Sequence, residues 1–182
     1  MSKAKSSQKS AYFGVLFLLL FGMAWLIAPI LSSNTMHNSL AWLLFVAEAV
    51  FLLWAIRKWR KLPGAPTKRA VNQKFNFILG MESIAIVAAV FVCRALQVSD
   101  ATGAAIAIVV GVHFIPLAKL FALPLYNLLA VLLVIAGAAC FAIIVTHPNN
   151  LSATLSIDYA VSAILAFIAG LTVARYASKS RI

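Results

Sequence analysis

Three ionisable side chains interrupt apolar stretches of the chain: Glu48, Glu82 and His113. Each lies six to nine residues from a flanking Lys or Arg, which corresponds to about 9–13 Å along a helix. Ionisable groups are costly inside a membrane and mark sites for protons, ions or substrates. If these stretches span a membrane, the three side chains can share one layer. We predict that this layer binds or relays a proton or cation.

The sequence around His113 contains a second feature that favours such a site. Pro116 has no N–H group, so the helix that contains it should kink and free the backbone carbonyl of Val112. Broken helices beside ionisable groups recur at the binding sites of transporters. Polar residues predicted at a similar depth are candidate hydrogen-bond donors to the layer: Asn76, Ser83 and Asn127.

The same polar residues also have a purely structural interpretation, since buried ion pairs occur in proteins without catalytic or transport roles. The sequence contains no motif for a catalytic nucleophile, a zinc protease or a nucleotide-binding loop. Cys93 and Cys140 lack the spacing of metal-binding or redox-active cysteines. We therefore expect no metal, no cofactor and no enzymatic activity.

The composition indicates the class of protein that must position these residues. Of the 182 residues, 64% are hydrophobic and 10% are charged, and the mean hydropathy is +1.01. A soluble domain is roughly half apolar and about a quarter charged. The composition also excludes an intrinsically disordered chain and a disulfide-stapled secreted domain. We predict an all-α, polytopic integral membrane protein.

Six apolar segments are long enough to cross a membrane as helices, since a span needs about 20 residues. Within the bilayer each must satisfy its own backbone hydrogen bonds, which an α-helix does. We expect one domain over residues 1–182, with transmembrane helices over residues 12–31, 40–56, 75–96, 101–121, 124–146 and 159–176.

The positive charges predict the orientation of these helices. Fourteen of the fifteen Lys and Arg residues lie in the two termini and in the even-numbered connections, which places those parts in the cytoplasm. Both termini are therefore predicted to be cytoplasmic. The net charge of +11 is explained by this asymmetry, so we expect no nucleic-acid partner. The short connections suggest the inner membrane of a bacterium.

The longest connection, residues 57–74, carries seven of the positive charges. It is expected to fix the topology, and it is also a candidate docking segment for anionic lipid headgroups, because basic segments next to a membrane are attracted to them.

Small residues repeat every fourth position in the last apolar segment, as in closely packed membrane helices. Similar small residues occur in the fourth segment, at Gly103, Ala107 and Gly111, and in the fifth, at Ala138 and Ala142 beside Gly137. These faces should lie inside the bundle or at the seam of a homo-oligomer. In the last segment the stripe contains Ser162, Ala166, Gly170 and Ala174.

Three functional hypotheses remain open on these observations. The first is a small secondary transporter or permease that uses the polar layer for a proton or cation. The second is a non-enzymatic accessory or stress-associated membrane protein that acts through helix–helix association. The third, placed last because the sequence shows no recognisable nucleophile or metal set, is an intramembrane enzyme that acts on lipid, with Glu and His as acid and base.

Overall fold

The computed structural model describes residues 2–31, 35–62, 69–121, 123–147 and 151–178. Of these residues, 94% are helical and none lies in a strand, so the predicted all-α class is confirmed. The elements are α1 (Ser2–Trp25), α2 (Ile27–Ile30), α3 (Thr35–Lys61), α4 (Arg69–Ala95), a 3-10 turn (Ser99–Ala101), α5 (Thr102–Phe121), α6 (Leu125–Thr146) and α7 (Leu151–Ser178).

Within the described residues, six helical segments are long and apolar enough to cross a membrane, as predicted. Several helices extend beyond the predicted spans: α3 ends at Lys61, α4 begins at Arg69 and α7 begins at Leu151. The predicted spans stopped where polar residues begin, whereas backbone hydrogen bonds continue the helix through them. The middle of the basic connection, residues 63–68, lies outside the described residues, and its two ends belong to α3 and α4.

The first apolar segment contains a break that its composition did not predict. α1 ends at Trp25 and α2 begins at Ile27. Pro29 has no N–H to donate to the carbonyl of Trp25, four residues earlier. The N–H of Leu26 instead bonds the carbonyl of Met23, at 3.2 Å and three residues back, as in a 3-10 turn. The proline therefore tightens the backbone for one turn between the two helices.

The contacts divide the chain into two compact units. The first contains residues 1–66 and 162–182, and the second contains residues 67–161. Helices α1, α2 and α3 therefore belong to the first unit, together with the C-terminal part of α7. Helices α4, α5 and α6 belong to the second, together with the N-terminal part of α7.

In the first unit, one face of α3 is buried at a spacing of seven residues. Ala41 and Ala55 are fully buried, and Glu48 between them is 5% exposed. Seven residues are close to two helical turns, so the three side chains point the same way. Asn38, near the start of α3, donates a hydrogen bond of 2.8 Å to the carbonyl of Ile30 and so ties α3 to α2.

In the second unit, α5 and α6 pack with their backbones in close contact. A Cβ added at Gly111 of α5 would lie 2.8 Å from the side chain of Val134. A Cβ added at Gly137 of α6 would lie 2.8 Å from the backbone carbonyl oxygen of Ala104. Each helix thus offers a glycine to the other, and this lets the backbones approach as small residues do in membrane bundles.

Gly111 of α5 and Gly137 of α6, both among the predicted small residues, lie at this contact, and a role at an oligomer seam stays a prediction for the others. Ala107 and Gly111 are buried, as expected, whereas Ala138 and Ala142 are exposed. Gly137 faces α5 instead. The spacing of small residues indicates close packing. On α6, however, Gly137 and the pair Ala138 and Ala142 lie on overlapping faces, and the position of α5 decides which of them is buried.

The turn after α4 brings α5 back alongside it. Gln97 has a φ of 58°, a left-handed conformation that usually requires glycine. The N–H of Val98 bonds the carbonyl of Cys93 at 2.9 Å, and the N–H of Gln97 bonds that of Arg94 at 3.0 Å. This is a Schellman motif, which ends α4 with its last carbonyls satisfied.

Helix α7 buries only part of the predicted small-residue stripe. Ser162 is 1% exposed, but Ala174 is exposed, and a Cβ on Gly170 would meet nothing within 4 Å. Steps of four residues drift by about 40° each around a helix of 3.6 residues per turn, so the stripe turns away from the buried face. That face continues instead through Leu165, Ile168, Ala169 and Thr172.

Candidate functional site

Glu82 of α4 and His113 of α5 form a close pair in the second unit, and both side chains are largely shielded. Nε2 of His113 lies 3.3 Å from Oε2 of Glu82, and the side chains are 5% exposed for His113 and 9% for Glu82. His113 also forms a hydrogen bond with the backbone of Ile78, one turn before Glu82. The structure thus brings together two of the three residues predicted to form the polar layer.

The turn at Gln97 accounts for this meeting. Glu82 lies 13 residues before the end of α4, and His113 lies 11 residues after the start of α5. These separations correspond to about 20 Å and about 17 Å along two helices that run in opposite directions. The two side chains therefore reach nearly the same level, and the contact between α4 and α5 brings them within reach of each other.

The Glu82–His113 pair has the chemistry to hold and pass a proton. A neutral imidazole nitrogen can accept a proton, and a protonated imidazole is attracted to a carboxylate. Burial removes competing water and makes an isolated charge costly, so the two groups are coupled to each other. Gain or loss of a proton by either group would therefore change the charge of the pair as a whole.

Glu48 has a different partner, in the first unit. Its Oε1 accepts a hydrogen bond of 2.5 Å from Oγ of Ser162 on α7, and both residues are buried. Its other oxygen, Oε2, is buried and has no hydrogen-bond partner among the described residues. This oxygen lies against α1, where a Cβ added at Gly22 would be 2.8 Å away.

Glu48 and the Glu82–His113 pair thus belong to different units, and each has a partner within its own unit. The single layer that joins all three stays a prediction. The sequence offered a signal for Gly22, since a small residue on a neighbouring helix suits a buried carboxylate, but it did not identify Ser162 as the hydrogen-bond donor.

The other predicted donors do not join the Glu82–His113 pair. Asn76 and Asn127 are exposed, and the hydroxyl of Ser83 donates to the carbonyl of Leu79 at 3.0 Å. Pro116 lies inside α5, which continues as a helix from Thr102 to Phe121. The kink predicted at this proline stays a prediction.

One buried acid was missed by the sequence analysis. Asp158 on α7 is 9% exposed and lies inside an apolar segment that runs from Thr154 to Tyr176. The predicted span begins one residue later, because the charge of the aspartate favours a polar connection. Buried Leu155, Val161 and Ser162 lie three or four residues from it, and this helical spacing was the signal that could have placed Asp158 on the buried face.

Within the described residues, no group of three or more His, Cys, Asp and Glu side chains is placed to hold a metal ion. Cys93 and Cys140 are free thiols.

Neither the family models, nor the curated proteins, nor the solved structures give a match to this chain. The part of the chain that the structure describes is a helical bundle with six apolar helices, and this is compatible with a multi-pass membrane protein.

Proposed function

We propose that this chain is a multi-pass protein of the cell membrane, with both termini in the cytoplasm, and that it transports a substrate or ion by using the Glu82–His113 pair to bind or relay a proton or cation. The membrane assignment is supported by the six apolar helices and by the uneven distribution of Lys and Arg over the connections.

The observation that carries the transport proposal is the buried contact between Glu82 and His113. A pair that served only to pack helices would bring little advantage, because replacing a buried ion pair by well-packed apolar residues is often neutral or stabilising. Two titratable groups that touch between two apolar helices suit the uptake and release of one proton or cation better than they suit helix packing.

The test is an ion-flux measurement in proteoliposomes with an imposed proton gradient. An internal pH-sensitive dye reports proton movement while a panel of cations and small solutes is offered. We expect flux above that of empty vesicles, and we expect Glu82→Gln to abolish it. Asp100→Asn is the matched control, since it removes an exposed carboxylate in the turn before α5. Flux that persists in Glu82→Gln, or no flux with any solute, would count against the proposal.

A second candidate function, helix–helix association with a partner protein or a second copy, is favoured by the open face of α7. Around Gly170 there is room for a Cβ, and Ala174 is exposed. Gly170→Leu should then disrupt a complex that chemical cross-linking detects in native membranes. A cross-linking pattern identical to that of the unmodified protein would remove this candidate.

A further inference from the structure

A groove of about 760 Å³ lies between α4 and α5 in the second unit. Phe77 and Ile78 of α4 form one apolar wall, and Pro116 and Leu120 of α5 form the other. Phe77 is 70% exposed, so the groove opens sideways from the two helices. Such walls suit a hydrocarbon chain that enters from the side.

Two lysines, one from each helix, line the same groove: Lys74 and Lys119. Lys74 lies eight residues before Glu82, and Lys119 lies six residues after His113. Since the Glu82–His113 contact fixes the register of two antiparallel helices, both lysines lie about 9–12 Å from that pair in the same direction. Two exposed lysines therefore line the groove on the same side of the Glu82–His113 pair, and no acidic side chain lines it among the described residues.

We propose that this groove binds one anionic glycerophospholipid from the surrounding membrane. Its phosphodiester lies between Lys74 and Lys119, and an acyl chain follows the apolar walls. Charge complementarity identifies the occupant, because the lysines require an anion and the walls require hydrocarbon next to it. The inference rests on the proposed membrane insertion, but it does not depend on the transport activity.

This site differs from the general attraction expected along the basic connection. A diffuse surface charge holds anionic lipids without selecting a position. The groove instead combines two cations from different helices with an apolar channel. Binding there should depend on these two lysines and on the adjoining walls, and it should be insensitive to other positive charges on the same side.

The test is a lipid-retention measurement on the purified full-length protein. The protein is equilibrated in mild detergent with an equimolar mixture of phosphatidylglycerol and phosphatidylcholine, and the retained lipid is quantified by mass spectrometry. We expect retention of phosphatidylglycerol over phosphatidylcholine. The double variant Lys74→Gln/Lys119→Gln should weaken the affinity for phosphatidylglycerol roughly thirtyfold, given the usual contribution of each charge.

The matched control is Arg57→Gln/Lys61→Gln, which removes two exposed positive charges at the end of α3 and should leave the affinity nearly unchanged. Phe77→Ala keeps both lysines and should weaken lipid binding by shortening the apolar wall. Equal losses in the two double variants, or equal retention of both lipids by the unmodified protein, would overturn the proposal.

Two further arms separate the possible sources of failure. Inorganic phosphate in excess should not displace the lipid; if it does, the groove takes a soluble anion and the proposal is wrong. Insertion is checked by retention of the chain in alkaline-washed membranes. If the protein retains the lipid but shows no ion flux, only the transport proposal is refuted. If it shows ion flux but no lipid selectivity, only the present inference is refuted.

Discussion

Replacing Gly137 by alanine tests how closely α5 and α6 must approach. The new Cβ would lie 2.8 Å from the carbonyl oxygen of Ala104 and 2.8 Å from Cγ1 of Ile108. Favourable carbon–carbon contacts occur at about 3.5–4.0 Å. Ile108 can move its side chain, but the oxygen of Ala104 belongs to the backbone, so the helices themselves must separate.

The expected change in the free energy of unfolding follows from two opposing effects. Overpacking of this kind costs about 1–3 kcal/mol, whereas alanine is favoured over glycine within a helix by about 1 kcal/mol. We expect the free energy of unfolding to fall by up to about 2 kcal/mol in Gly137→Ala. The matched control is Gly80→Ala on α4, where a Cβ would meet nothing within 4 Å. Its stability should rise by about 0.5–1 kcal/mol.

The assay must report on the second unit. All four tryptophans lie in the first unit, so tryptophan fluorescence would miss a local change around Gly137; they are Trp25, Trp42, Trp54 and Trp59. Helical circular dichroism during unfolding in mixed micelles, combined with hydrogen exchange of peptides from α5 and α6, measures the relevant change. If Gly137→Ala is as stable as Gly80→Ala, the close contact described above is wrong.

Three further predictions concern the buried glutamate and the turn after α4. Ser162→Ala should lower the free energy of unfolding by about 1–3 kcal/mol, because it leaves a buried acceptor unpaired; Ser156→Ala, which removes an exposed hydroxyl bonded within its own helix, should change it by less than about 0.5 kcal/mol. Gly22→Ala should destabilise the protein, but not when combined with Glu48→Ala, and a double-mutant cycle that shows additive effects would contradict their contact. Gln97→Gly should raise the free energy of unfolding by about 1 kcal/mol, because glycine adopts the left-handed conformation without strain. Gln97→Val should lower it.

Much of the helical architecture can be predicted from the sequence, because it depends on local properties. Apolar segments of sufficient length specify the six helices, and seven-residue spacing places Glu48 on the same face as its neighbours on α3. The contact between Glu82 and His113 can also be predicted. Because the connection between the two antiparallel helices is short, residues at similar distances from the turn lie at similar depths.

The remaining features depend on which helix lies next to which, and local patterns do not contain that information. The spacing of small residues predicts a packing role for Ser162, whereas its hydroxyl donates a hydrogen bond to Glu48, 114 residues away. Asp158 was assigned to a connection, because its charge outweighed the apolar spacing around it. On α6, either Gly137 or the alanines beside it could have faced α5, and only the close approach at Ala104 distinguishes them.

If the chain inserts into a membrane as proposed, the tight turn at Gln97 has a consequence for that step. With only residues 96–98 between α4 and the 3-10 turn that leads into α5, the two helices can insert together as a hairpin that carries a very small loop across the bilayer. A lone charged side chain at the centre of an inserting helix costs about 2.5–3.5 kcal/mol. On that proposal, Glu82 and His113 would enter already facing each other, and the turn would lower the insertion cost of the polar pair before the rest of the bundle assembles.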